Sequence, residues 1–312
     1  GTITLDNVTT LSNTGQLDVS GTTLKVSQAL SLSGGTFTSN GTSVLDLKTA
    51  GTLTSNSPVS FKKVNLNGKA PTLGSGATHL KLTDSSETLS LNNLALETGA
   101  GSLTIVGALK LQNGAELNSS GGIITLESDD SDFFVESGSL FSIPDTTLIT
   151  KNYLSFFGST LKTKNTTITT REGFGVAIDS GSTLEVEGNQ NVTSLNLDNS
   201  STLRLVADTE LESDNWMSIG TLELADFALN LGVTMSQLNV KQAVTLDAAT
   251  EKIISGNANL SLNGGITVSN GTLSSTGGTL SASGFSAGAA GTVSILGGTL
   301  ILPSGGTAVS GA

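Results

Sequence analysis

Gly271-Thr272-Leu273 is followed by Gly277-Gly278-Thr279-Leu280, and twenty positions later Gly291-Thr292-Val293 is followed by Gly297-Gly298-Thr299-Leu300. Two different turn units that recur together at one interval imply a chain that returns to the same place after each interval. A solenoid does this, because each repeat stacks on the one before it and the core is assembled coil by coil. Leu260, Leu280 and Leu300 carry the interval towards the end of the chain, and Leu89 and Leu109 carry it in the first half.

Between these markers the sequence is a succession of short apolar-polar-apolar triplets. Leu17-Asp18-Val19, Leu24-Lys25-Val26, Leu30-Ser31-Leu32, Leu80-Lys81-Leu82 and Leu103-Thr104-Ile105 are examples, separated by Gly, Ser, Asn and Thr. Alternation over three residues predicts a short strand whose outer pair faces inward. Leu184-Glu185-Val186, Leu203-Arg204-Leu205 and Leu222-Glu223-Leu224 fall nineteen residues apart and are expected to stack in one sheet, charge outward. Triplets about seven residues apart give about three short strands per coil of roughly 19–20 residues. The fold expected is therefore all-β, a right-handed parallel β-helix (β-solenoid), the hand following from the preference of parallel crossovers. It is read as one domain over 1–312, with an irregular or loop-bearing section at 129–176 where aromatic and acidic residues gather.

Composition supports this class. The 38 glycines and only 13% charged residues suit strands and turns better than exposed helix faces. A formal net charge of −12 disfavours nucleic acid and anionic lipid, both of which need clustered Lys and Arg. There is no cysteine, and no run of about 18 apolar residues that would insert this segment in a membrane. Gly1 is preceded by neither a signal peptide nor an initiator Met, so the chain reads as a mature product or an excised piece.

Few residues offer chemistry. His79 is the sole histidine, which leaves no second imidazole for a metal site and reads as a turn or surface residue. Asp129, Asp130 and Asp132 with Glu136 present oxygens that Ca²⁺ accepts, but without the glycine-spaced loop patterns of a specific site, so the run reads as solvated. Lys162, Lys164, Arg171 and Glu172 lie near the same stretch as Tyr153, Phe156 and Phe157. Converging carboxylates and bases would make a glycosidase or lyase groove there, and aromatic rings would hold sugars. No catalytic residue, metal or cofactor is assigned. Asp129, Asp130, Asp132, Tyr153, Phe156 and Phe157 are the candidate binding residues, and a carbohydrate-active enzyme or carbohydrate-binding module with a groove near 129–172 is the alternative to a non-enzymatic role.

The Gly-Thr-Leu-x-Leu and Ser-Gly-Gly-Thr-Leu idiom resembles the passenger regions of bacterial autotransporters and filamentous-haemagglutinin-like adhesins. The resemblance covers nearly the whole chain through repeat style. It implies an extracellular protein at a bacterial cell surface, without enzymatic activity, acting as adhesin passenger or structural stalk. Its partners would be a host or cell-surface protein or glycan. The strand-like start at Thr2-Ile3-Thr4-Leu5 adds an expectation of end-to-end self-association through unpaired strand edges.

Overall fold

A computed structural model describes residues 1–312 except 8, 12–14, 33–35, 40–41, 49–51, 56–57, 66–71, 74–78, 84–87, 129–132, 172–174, 180, 193–194, 199, 214–215, 303–306 and 310–312. The described residues contain no helix and build parallel strands stacked as a β-solenoid, about 12 turns in all. The chain divides into two compact units, Gly1–Ser155 and Phe156–Ala312.

In the first unit the strands Thr88–Asn92, Ala95–Gly99 and Ser102–Ile105 make one coil, and Ala108–Gln112, Glu116–Ser119 and Ile123–Leu126 make the next. Phe133–Val135, Leu140–Pro144 and Thr147–Thr150 follow. Three apolar ladders run through these coils: Leu89, Leu109 and Phe133; Leu96, Leu117 and Phe141; Leu103, Ile124 and Leu148. All nine side chains are buried. Burying one such side chain is worth about 1.5–3 kcal/mol, and in this arrangement each is covered by the equivalent residue of the neighbouring coil.

The second unit repeats the scheme. Leu161, Leu184, Leu203 and Leu222 form one ladder, and Leu238, Leu260, Leu280 and Leu300 another. The repeat that opened the sequence therefore stacks as expected, Thr272 on Thr292, Leu273 on Val293, Thr279 on Thr299 and Leu280 on Leu300.

The period is less uniform than the sequence suggests. Paired residues are nineteen apart at Leu184 and Leu203, twenty-four at Leu109 and Phe133, and twenty-four at Ala228 and Lys252. A coil tolerates this because corner segments lengthen without disturbing the strands. Within 133–171, inside the section 129–176 that the sequence marks as irregular or loop-bearing, the described strands keep the same in-out alternation as their neighbours. Phe133 and Phe141 take ladder positions that Leu fills elsewhere, and Phe156 is fully buried as they are.

The corners account for the abundance of Gly, Ser and Thr. Gly278 has φ 67°, and a Cβ there would lie 2.6 Å from the carbonyl oxygens of both Asn257 and Ala258 in the coil below, so only glycine lets the backbones approach. Elsewhere buried hydroxyls satisfy carbonyls that the sheets leave over: Ser182 Oγ donates to Asp179 O at 2.7 Å, and Ser43 Oγ donates to Val19 O at 2.8 Å. Asp18 and Asp198 each accept the backbone N–H two residues on, from Ser20 at 2.8 Å and Ser200 at 2.9 Å.

Replacing the fully buried Leu203 by Ala should cost about 2–5 kcal/mol, whereas Thr202→Ala on the outer face should stay within about 0.5 kcal/mol. Denaturant midpoints of the two variants measure the contrast.

Candidate functional site

Of the six residues proposed for binding, Asp129, Asp130 and Asp132 lie outside the described residues. Tyr153 is 45% exposed, its N–H held by Asn152 Oδ1 at 2.8 Å and its carbonyl accepting Phe133 N–H at 3.2 Å. Phe156 is fully buried at a ladder position of the strand Leu154–Phe157, so its ring is core and presents no surface to a ligand. Phe157, next to it, points the other way and is 36% exposed. Alternation along the strand separates two aromatics that adjacency in sequence had grouped.

The nearby charges are committed as well. Glu136 pairs with Lys110 at 2.9 Å in the first unit. In the second unit Lys162 pairs with Glu185 at 3.0 Å and Lys164 with Glu187 at 2.6 Å. Arg204 lies on the next coil, 3.5 Å from Glu185 and 2.7 Å from Glu223. The strand register puts Lys162, Glu185, Arg204 and Glu223 in one column of alternating sign. The hydrogen bond that Arg204 Nε donates to Glu223 raises the Arg204 pKa above its ordinary value. Such a column is neutralised within itself: Glu185 and Arg204 each meet opposite charge on both sides, and Lys162 and Glu223 each meet it on one.

The opposite arrangement occurs at Asp179. Asp198 N–H donates to Ile178 O at 3.1 Å, which sets Asp198 beside Asp179 on the adjoining coil. Partial burial raises the Asp179 pKa, the Asp198 charge raises it further, and Lys241 opposes both. Lys241 Nζ is itself held by Leu197 O at 3.4 Å.

Two shallow grooves lie on the second unit. One, of about 310 Å³, is lined by Asn165, Asn189, Asn191, Glu210 and Glu212, with Thr167 stacked under Asn191. The other, of about 550 Å³, is lined by Asp208, Asp226, Phe227 and Lys252 beside a turn in which Ala225 and Asp226 take φ 51° and 73°. Asp208 Oδ1 already accepts Ala228 N–H at 2.8 Å, so this carboxylate is positioned by the turn it supports. Among the described residues no group of three or more His, Asp or Glu is placed to hold a metal, and no helix is long and apolar enough to cross a membrane.

Sequence reasoning passed over Trp216, the only tryptophan, which is 58% exposed immediately before the strand Met217–Ile219. The signal was available: Met217 and Ile219 are the inward pair of a triplet, which turns residue 216 outward. Comparison with known proteins finds no matching family model, no matching curated protein and no matching solved structure.

The sign of the Asp179 effect is testable. A carboxyl whose folded pKa is raised contributes stability below its unfolded pKa and loses it as pH rises through the folded value. Asp179→Asn should therefore stabilise the chain at neutral pH by a few tenths of a kcal/mol after solvent screening, the gain vanishing as pH falls through the carboxylate range. Arg204→Ala should cost under about 1 kcal/mol. Urea midpoints across pH measure both.

Proposed function

We propose that this chain is a non-enzymatic extracellular surface protein, an adhesin passenger or structural stalk that attaches to a host, a surface or neighbouring cells. What carries the reading is the division of labour within each coil. Apolar ladders take most inward positions, with buried hydroxyls such as Thr98, Ser119 and Thr163 at others, and the outward positions of the same strands present mainly hydroxyls, amides and internally neutralised ion pairs. Outer residues on such a scaffold can change with little effect on folding, which suits a surface selected for contact with partners. The repeat idiom of autotransporter passengers and filamentous-haemagglutinin-like adhesins supports the same assignment, with export to a bacterial cell surface. The partner is a host or cell-surface protein or glycan.

Attachment is directly measurable. Beads coated with the folded chain should bind cultured cells or bacterial aggregates in a saturable way that soluble chain competes away. Beads carrying heat-unfolded chain should not. Equal binding by folded and unfolded coats would overturn the proposal, and so would turnover of polysaccharide that is lost in Asp208→Asn or Asp226→Asn.

A further inference from the structure

Trp216 stands at the head of an uncharged strip on the second unit. Met217 pairs with Leu238, so continuing that register sets Trp216 in line with Gln237; Gln237 pairs with Asn259, and the column passes on to Thr279 and Thr299. Beside it runs a second column, Asn239, Ser261 and Ser281. No Asp, Glu, Lys or Arg stands in either column, although the chain as a whole has a net charge of −12.

The polar groups of the strip are ordered by one another. Gln237 Nε2 donates to Asn239 Oδ1 at 2.7 Å, Ser281 Oγ donates to Ser261 Oγ at 3.1 Å, and Asn259 Oδ1 accepts Thr279 N–H at 2.8 Å. Gln237 and Asn239 are half-buried and Asn259 is exposed. Among the described residues no protein group pairs with Gln237 Oε1, Asn239 Nδ2, Asn259 Nδ2 or Trp216 Nε1. The strip therefore combines an exposed indole, pre-ordered donors and acceptors, and electrical neutrality, at one hydrogen-bonding side chain for every strand step of about 4.8 Å.

We propose that this face binds a linear neutral oligosaccharide, with one pyranose ring stacked on Trp216 and the hydroxyls of the following units bonded by Gln237, Asn239 and Asn259. A pyranose offers an apolar face of C–H groups to an indole and hydroxyls at its edge to amides, which is the pattern of this strip. One sugar unit is close in length to one strand step, so successive units meet successive coils. Pre-ordered amides lower the conformational cost of binding. A protein partner suited to this acidic chain would bring basic residues, and the strip holds no carboxylate to receive them. The inference rests on the attachment reading and gives it a ligand class.

The test titrates the full chain with neutral β-1,4-linked gluco-, xylo- and manno-oligosaccharides from disaccharide to hexasaccharide, reading the emission of the single tryptophan and the heat of binding. The expected result is saturable binding to one neutral series that tightens with length. Trp216→Ala, read by calorimetry with its fold checked by circular dichroism, should lose roughly tenfold or more. Asn239→Ala and Asn259→Ala should each lose roughly two- to tenfold. Absence of saturable binding to all three series, full binding by Trp216→Ala, or equal binding of oligouronates would overturn the proposal. The attachment assay separates the two readings: beads that bind cells undisturbed by excess oligosaccharide sink the glycan site and leave attachment standing. Oligosaccharide binding without cell attachment does the reverse.

Discussion

Everything in this molecule depends on one coil covering the apolar ladder positions of the next. A strand such as Phe133–Val135 or Thr221–Glu223 has three residues and cannot persist alone, because its hydrogen bonds and its inward side chains are satisfied only by neighbouring coils. Stability is thus gained between coils rather than within them. The constraint acts on direction and register and is permissive about identity: Leu109 is succeeded by Phe133 and Leu262 by Ala282, all four buried. It is strict at corners such as Gly278, where backbone lies against backbone.

That constraint explains which parts were legible in the sequence. The stacking of Leu184 on Leu203 and Leu222, and of the Gly271 unit on the Gly291 unit, follows from intervals that a reader can count. Irregular intervals hide the same event, as with Leu109 and Phe133 or Ala228 and Lys252, because extra residues at a corner shift the count without shifting the strand. The aromatic stretch looked exceptional for a similar reason. Phe156 and Phe157 are neighbours in the chain but face core and solvent respectively, and only the strand's phase shows which. The pairing of Lys162 with Glu185, twenty-three positions on, needed register as well as composition.

The outer surface is not uniform, and the difference bears on function. The column from Lys162 to Glu223 satisfies its charges internally, so it reinforces register more than it offers a contact. The strip from Trp216 through Gln237 and Asn259 leaves amide valences open and exposes a ring. On a scaffold whose folding is governed from inside, a difference of this kind can be altered without altering the coil. Attachment and glycan recognition are proposed on that footing, with the fold supplying position and the outer residues supplying chemistry.

The register between coils is directly accessible to measurement because the chain has no cysteine. Ser261 and Ser281 are paired across adjacent coils with hydroxyl oxygens 3.1 Å apart, while Ser261 and the inward-facing Ala282 are one residue out of step. A disulfide requires Cα atoms roughly 4.4–6.8 Å apart and side chains that point together. Mild oxidation of a Ser261→Cys, Ser281→Cys variant should therefore close an intramolecular bond, seen as the mass lost with two hydrogens. A Ser261→Cys, Ala282→Cys variant should stay reduced, and its closing as readily as the first pair would contradict the ladder.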